Sequence, residues 1–239
     1  MIAALASIVR PGVAEACSCG GRVSAAAALR QADLVFVGAV AQLDGRKPWS
    51  MVDVDGSIRV QSPTGAPVTT FSIKNIYRGG AHQQVVIVGD GNNCDVPVAQ
   101  GEIWLVYARV REGRVTTGKC TRTRLRVEAE ASQDLAYLEG IERGRQQGVV
   151  FGEVLRRIVG ADGKPALQAL FEPLQVIAAG PAGRFQVTTD TWGPYQLVLP
   201  PGDFEVWIER LGAAVNTRQT VSVDHGSDRH LTLVVDYKR

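Results

Sequence analysis

The sequence predicts a mainly β protein: a five-stranded Greek-key barrel with flanking helices, followed by a seven-stranded β-sandwich. Short apolar or alternating segments recur along most of the 239 residues. Between them are spread 26 glycines and 11 prolines, as turns between many short strands require. All four cysteines fall in the first half, which indicates two units of different construction.

The composition excludes several classes of protein. Hydrophobic residues make up 45% and charged residues 21% of the chain, as in ordinary soluble globular proteins. A net charge of +2 is too small to indicate a nucleic-acid or membrane partner. No internal stretch approaches the roughly 18 apolar residues of a spanning helix, so we expect no membrane span.

Residues 1–16 predict a signal peptide. The apolar run "MIAALASIV" comes before Ala14-Glu15-Ala16, a small-x-small cleavage pattern. Because no Lys or Arg precedes the run, either the signal is truncated at its start or the segment is a short buried helix. We favour the signal, which makes Cys17 the first mature residue and the protein secreted, either extracellular or periplasmic. A lipid anchor at Cys17 is disfavoured, because it would consume one of the four cysteines and leave another without a disulfide partner.

Residues 17–145 predict the barrel and its helices. Ser24 is a suitable N-cap for an Ala-rich helix over 24–32, and Ser132 for a helix over 132–147 with apolar residues at helical spacing. The strands and loops predicted between the helices are a buried strand over 34–40, a long loop or ragged hairpin over 44–67, a strand over 68–80, a short strand in "QQVVIVGDG", a strand over 102–110 and a hairpin in "GRVTTGKCTRTRLRV".

Residues 146–239 predict the sandwich. The segment "GRQQG", 144–148, contains no apolar residue and is interpreted as the linker. Beyond it, strands recur at regular spacing between "DGKP", "AAGPAG", "DTWG" and "PPGD", which favours a small antiparallel sandwich. We expect Trp192 and Tyr195 in its core. Trp49 lies in the long loop of the first half and is expected to pack there.

The cysteines are Cys17, Cys19, Cys94 and Cys120. An even number in an exported chain indicates two disulfides. Taken alone, Cys17-x-Cys19 could be a metal site, a redox pair or two separate anchors, and four cysteines allow three pairings.

The first half resembles the N-terminal domain of the tissue inhibitors of metalloproteinases, a netrin-like barrel of the oligonucleotide/oligosaccharide-binding type. The similar stretches are "CSC", "ADLVFVGAV", "FSIKNIYRGG", "NNCDVPVAQGEIWLVYARV" and "TTGKCTRTRLRV", in that order. The second half is similar to carboxypeptidase regulatory-like domains, which have a transthyretin-like fold, through "GEVLRRIVGADGKPALQALFEPL" and "FQVTTDTWGPYQLVLPPGDFEVWI".

The first resemblance implies the pairs Cys17–Cys94 and Cys19–Cys120. It also implies that the α-amine and carbonyl of Cys17 chelate the zinc of an extracellular metalloprotease, whose fourth coordination position is open. An α-amine with a pKa near 7.7–8.0 can lose its proton and act as a ligand. Ser18 would enter the specificity pocket. The residues Asp90, Asn92 and Asn93 would form a second contact.

We therefore predict a non-enzymatic metalloprotease-inhibitor-like protein without a cofactor. The alternative is a structural or adhesive extracellular protein that binds a surface protein without inhibiting it. No catalytic motif or phosphate loop occurs.

Two other groups of residues favour plainer interpretations. His225 and His230, with Asp224 and Asp228, are expected in a solvated turn, so no intrinsic metal site is predicted. The basic stretch 109–126 lacks aromatic residues for base stacking. Its alternating Arg122, Arg124 and Arg126 predict one solvated strand face and no nucleic-acid site.

Overall fold

The computed structural model describes residues 17, 19–44, 50–54, 57–61, 66–92, 94–159, 163–170, 172–189, 193–209 and 218–236. The predicted signal peptide, Ser18, Asn93, Trp49 and Trp192 lie outside these residues. Within them the chain is mainly β, with two α-helices, which confirms the predicted class.

Two helices and eight strands form the first half of the described chain. The helices are α1 Ala25–Gln31 and α2 Ala129–Glu142. The strands are β1 Leu34–Asp44, β2 Ser50–Val54, β3 Ser57–Gln61, β4 Val68–Arg78, β5 Gln84–Val88, β6 Ile103–Arg111, β7 Arg114–Thr116 and β8 Arg124–Leu125.

Six of these strands form one curved sheet in the order β5-β4-β1-β6-β7, with β8 also paired to β6. Strands β5 and β7 lie near each other at its two ends, so the sheet is a nearly closed barrel. It has one strand more than the predicted five, because Leu125 and Arg124 return beside Trp104 and Leu105 after the β7 hairpin. The segment 44–67 contains the separate hairpin β2–β3, consistent with the ragged hairpin that the sequence predicts.

Strand β1 is apolar because both of its faces are covered. Phe36 and Val40 point into the barrel with Phe71, whereas Val35 and Val37 pack outward against the helices. A strand buried on both faces has a continuous apolar sequence in place of an alternating one, as "LVFVGAV" has.

The two helices cover the outside of β1 and β6. Helix α1 begins where predicted, because the Ser24 hydroxyl accepts a 3.0 Å hydrogen bond from the Ala27 N–H. The prediction that Ser132 caps α2 is wrong, since α2 begins at Ala129 after Glu128 and Ser132 lies inside it. Ala129, Glu130 and Ala131 are good helix formers, and they extend the helix by one turn toward its N-terminus.

The second half contains nine strands among the described residues, where the sequence predicts seven. They are β9 Gly148–Val159, β10 Pro165–Ala169, β11 Gln175–Gly180, β12 Gly183–Thr188, β13 Pro194–Leu199, β14 Gly202–Glu209, β15 Gln219–Val223, β16 Asp228–His230 and β17 Leu233–Asp236. Strands β10, β9 and β13, with β16 and β17 beside β9, form one sheet, and β12-β11-β14-β15 form the other. Both enclose one apolar core that includes Tyr195.

One of the two additional strands comes from the C-terminal stretch. Its first part, β16, pairs in parallel with Val149–Phe151, and β17 pairs in parallel with residues 154–157 of the same strand. Residues 231–232 separate the two pairings, and this break divides one expected strand into two. Gly152 faces the break, where a Cβ atom would collide with the Leu231 carbonyl.

The segment 144–148 is only partly a solvated linker. Residues 144–146 are exposed, but Gln147 is 5% exposed and Gly148 already belongs to β9. The Gln147 side-chain amide donates to the Tyr137 carbonyl at 2.6 Å. One apolar cluster joins α1 and α2 to Val149 and Phe151 of β9. The division into domains at 145/146 stays a prediction.

Candidate binding ridge

Two disulfides bring three distant segments together at one end of the barrel. They join Cys17 to Cys94 and Cys19 to Cys120, with Cα–Cα distances of 5.0 and 5.3 Å, inside the usual range for disulfides. This is the pairing that the resemblance implies. Cys17 and Cys19 are therefore two separate anchors.

The sulfur atoms also bear on the idea of a metal site. Those of Cys17, Cys19 and Cys120 lie within 4.8 Å of one another. All four cysteines are in disulfides, however, and the thiolate is the form that binds metals. The oxidised cluster offers no thiolate ligand.

Asp95 shapes the turn before Cys94. Its buried carboxylate accepts hydrogen bonds from the backbone N–H groups of Asp90 and Gly91, at 3.0 and 2.9 Å. The Asn92 side chain accepts from the Cys94 N–H at 2.8 Å. These contacts hold residues 90–92 in one conformation without a regular element.

The third segment lies against Cys94. The Lys119 N–H donates to the Cys94 carbonyl at 2.8 Å. Gly118 permits this approach, because a Cβ atom there would lie 3.0 Å from the same carbonyl oxygen, closer than side chains normally come. Residues Lys119–Thr121 then form a short 3-10 turn that carries Cys120.

The described parts of these three segments, residues 17, 19–22, 90–92, 94 and 118–120, are called the disulfide ridge below. Most of them are exposed, with Cys17, Cys94 and Gly118 half-buried. Two concavities adjoin the ridge. One of about 320 Å³ is lined by Cys19, Arg22, Lys119 and Arg124, among others. The other, of about 200 Å³, lies between Asp90, Cys94 and Asp95 on one hand and strands β6 and β7 on the other.

A buried polar network supports the ridge from below. Arg122 follows the 3-10 turn with φ of 70° and is 8% exposed. Its Nε and Nη2 atoms donate to the carboxylate of Asp134 in α2, both at 2.7 Å. The Tyr107 hydroxyl and the Gln196 amide also donate to this carboxylate, at 3.1 Å each. The network thereby links the ridge to α2 and to β13 of the second half.

The prediction that Arg122, Arg124 and Arg126 form one solvated strand face is wrong for Arg122. Strand β8 contains only Arg124 and Leu125, and the left-handed residue Arg122 lies outside it. Alternation along a strand therefore does not apply there, and the guanidinium points inward to Asp134.

Burial and charge act in opposite directions on the Arg122–Asp134 pair. Burial disfavours the charged guanidinium, but the adjacent Asp134 carboxylate, together with Glu130 and Tyr107, outweighs it and raises the pKa of Arg122. Complete burial raises the pKa of Asp134, against the lowering effect of Arg122. Burial and Asp134 also raise the pKa of Tyr107 far above its ordinary value, so its hydroxyl stays a donor.

A second charged group lies beside the network. Glu130 at the start of α2 forms ion pairs with Arg22 at 2.8 Å and Arg124 at 2.9 Å. Burial would raise the pKa of Glu130, but Arg124, Arg122 and Arg22 together lower it. The ion pair to Arg22 fixes the end of the ridge segment 19–22 to helix α2.

The predicted site residues Cys17, Asp90 and Asn92 all lie on the disulfide ridge. Ser18 and Asn93 lie outside the described residues. The sequence interpretation missed Asp95 and Lys119. The position of Asp95 directly after Cys94, in a Gly- and Asn-rich stretch, could have indicated its role. Asp side chains in turns often accept hydrogen bonds from nearby backbone N–H groups.

The histidines take structural positions. The His225 Nδ1 atom accepts from the Gln147 N–H at 3.2 Å. The His230 ring packs edge-on against Phe151 with 5.2 Å between ring centres. In the described part of the chain, neither belongs to a group of three or more side chains positioned to hold a metal ion.

Comparison with known proteins gives remote likenesses. No protein-family model and no curated protein matches the chain. Among solved structures, the minor pilin GBS52 of Streptococcus agalactiae is similar at 10% identity and a TM-score of 0.32, over 87% of this chain and 84% of the pilin. A fimbrial protein of Bacteroides ovatus is similar at 9% identity and a TM-score of 0.24, over 86% of this chain and 45% of that one. At such scores neither likeness establishes a fold or a function.

Neither α1 nor α2, the helices of the described residues, is long and apolar enough to cross a membrane.

Proposed function

We propose that this chain is an exported, non-enzymatic protein that binds another protein through the disulfide ridge, in a structural or adhesive role. One observation carries the proposal: two disulfides fasten three distant segments into one exposed surface. Structural disulfides persist in oxidising compartments outside the cytosol, which supports export.

The ridge suits binding because its shape is set before a partner arrives. The two disulfides, the Asp95 carboxylate and the Lys119–Cys94 hydrogen bond restrain backbone that would otherwise be mobile. A preorganised surface loses less conformational entropy on association. In this proposal residues 17–145 form the binding domain, and 146–239 form a sandwich domain that supports it.

Site-specific photo-crosslinking in the producing cell tests this proposal. A photoreactive amino acid at Asn92 should form a crosslink to one partner protein, whose affinity for the purified chain is then measured. The control places the same amino acid at Arg143, which is exposed on the far end of α2. Binding through the ridge would be refuted if the partner crosslinks equally from both positions, or if no partner crosslinks from Asn92.

Inhibition of a metalloprotease is the second candidate, and the position of Cys17 favours it. Its disulfide to Cys94 places the Cys17 backbone beside the ordered turn 90–92. With cleavage after Ala16, the new α-amine and the Cys17 carbonyl would be available to a protease zinc with an open coordination position.

Intact mass and N-terminal sequencing of the exported protein test this candidate first. A chain that retains Ala16, or a lipid on Cys17, would rule it out. If the amine is available, wild-type protein should inhibit a member of a metalloprotease panel, and one extra residue before Cys17 should abolish that inhibition. Unchanged inhibition by the extended protein would exclude chelation by Cys17.

A further inference from the structure

We propose that the 200 Å³ concavity beside the ridge, called the basic groove below, binds an acidic segment of the partner protein. This inference rests on the proposed function, because it assigns a chemistry to part of the partner that the ridge binds. The groove is lined by Asp90, Cys94 and Asp95, by the turn 118–121 and by residues of strands β6 and β7.

The cations of the groove come from two directions. Arg109 and Arg111 are two residues apart on β6, so their side chains leave the strand on the same side, and both line the groove. Lys119 lines the groove from a separate segment, the turn that carries Cys120. Three positively charged side chains therefore surround a volume that suits one or two carboxylate groups.

The two arginines are not neutralised by the described part of the protein. Arg109 donates to the Gln31 side-chain oxygen at 2.7 Å, an amide that orients the guanidinium without cancelling its charge. Neither Arg109 nor Arg111 forms an ion pair with a carboxylate of the described residues.

The β6–β7 hairpin adds a further positive charge. Arg111 lies directly opposite Arg114, although like charges across a ladder destabilise a sheet. The ion pair of Arg114 with Glu112 is long, at 3.8 Å, and its side chains are 65% and 87% exposed, so it compensates little of this repulsion. An anion in the groove would relieve the repulsion.

The groove also contains two carboxylates, which limit the kinds of anion that could bind there. That of Asp95 accepts two backbone hydrogen bonds within the ridge, which fix its position without cancelling its negative charge. Asp90 is exposed at the rim and interrupts the positive surface there. A long polyanion needs a continuous basic track, whereas a short acidic peptide needs only the enclosed positions.

The lining residues argue against nucleic acid. Single-stranded nucleic acid binds where aromatic side chains stack on its bases, and the described residues that line the groove include no aromatic residue. Two other basic side chains of the stretch 109–126 are held in internal ion pairs, Arg122 with Asp134 and Arg124 with Glu130.

Binding of a fluorescent peptide of alternating Glu and Gly tests the inference on the full chain. We expect saturable binding that weakens as salt screens the charges, and a loss of about tenfold or more in affinity for Arg111→Gln/Lys119→Gln. The control Arg143→Gln/Arg145→Gln also removes two exposed positive charges, but away from the groove, and should bind as wild type does. A Gln-for-Glu peptide should not bind.

Four results would overturn the inference: no saturable binding of the acidic peptide, equal binding of the Gln peptide, an equal loss in the control variant, or tighter binding of a sulfated oligosaccharide or an oligonucleotide of the same charge. Failure here is distinguishable from failure of the proposed function. If the peptide fails to bind but the ridge still crosslinks to its partner, only the groove is excluded.

Discussion

The Arg122 guanidinium donates two 2.7 Å hydrogen bonds to the Asp134 carboxylate, and both side chains are almost completely buried. The pair joins the turn after Cys120 to helix α2. Gln196 of β13 reaches the same pair and also accepts from the Ala25 N–H at 2.8 Å. The ridge, both helices and the second half are thus connected by one polar cluster.

Removal of one partner of this pair should strongly lower the free energy of unfolding. Arg122→Met leaves the Asp134 carboxylate buried without its counter-charge, and the expected cost is about 3–5 kcal/mol of unfolding free energy. The double variant Arg122→Met/Asp134→Leu should be less destabilised than Arg122→Met, because no uncompensated charge stays buried. Urea unfolding with both disulfides intact measures this. A single variant within about 1 kcal/mol of wild type would contradict the account.

Protonation of Glu130 should lower the stability of the protein in acid. Its folded-state pKa is lowered, so its contribution is fully present above the unfolded-state value of about 4.3 and is lost as pH falls through the folded-state pKa. Glu130→Gln should therefore flatten the decline of unfolding free energy below about pH 5. The control is Glu139→Gln, at the exposed end of the same helix, which should leave the decline of unfolding free energy unchanged. An unchanged slope for Glu130→Gln would disprove the assignment.

The hydrogen bonds of the Asp95 carboxylate should keep the turn before Cys94 ordered. Asp95→Ala leaves two backbone N–H groups without their acceptor, at an expected cost of about 1–3 kcal/mol, and amide hydrogen exchange at Asp90 and Gly91 should accelerate. Asp90→Ala is the matched control, because it removes an exposed carboxylate from the same turn. Equal exchange at Gly91 in both variants would show that Asp95 does not hold the turn.

Each disulfide closes a long loop, with sequence separations of 77 and 101 residues. The chain-entropy model gives about 4–5 kcal/mol for either bridge. Cys19→Ser/Cys120→Ser and Cys17→Ser/Cys94→Ser should each lose stability of this order in thermal or urea unfolding. Loss of less than about 1 kcal/mol would mean that hydrogen bonds alone order the ridge.

Local patterns in the sequence predicted the elements that can be recognised from residues close to one another in the chain. The Ser24 cap depends on a residue three positions away, and the apolar run of β1 is a continuous pattern that can be recognised without its distant partners; both predictions agree with the structure. The burial of Arg122 depends on Asp134 and Gln196, which are distant in sequence or on another element. A left-handed residue after a 3-10 turn interrupts the alternation that strand prediction assumes.

The candidate site was predictable only in part, for a related reason. The cysteine content indicated two disulfides, but spacing left three pairings open, because pairing depends on which strands are neighbours in the sheet. Lys119 and Arg111 approach each other only when the β7 hairpin folds back along β6. The basic stretch 109–126 contained these residues without showing which of them face inward.

The central claim, that the disulfide ridge binds a protein partner, is tested most directly by the dissociation constant of the partner identified by crosslinking at Asn92. We expect Asp90→Ala/Asn92→Ala to weaken binding by about tenfold or more, since the few residues that dominate the binding energy cluster near the centre of an interface and each cost over about 1 kcal/mol when truncated. Arg143→Ala/Arg145→Ala should leave the constant unchanged. Equal affinity of wild type and Asp90→Ala/Asn92→Ala, with the fold of both verified, would contradict the claim.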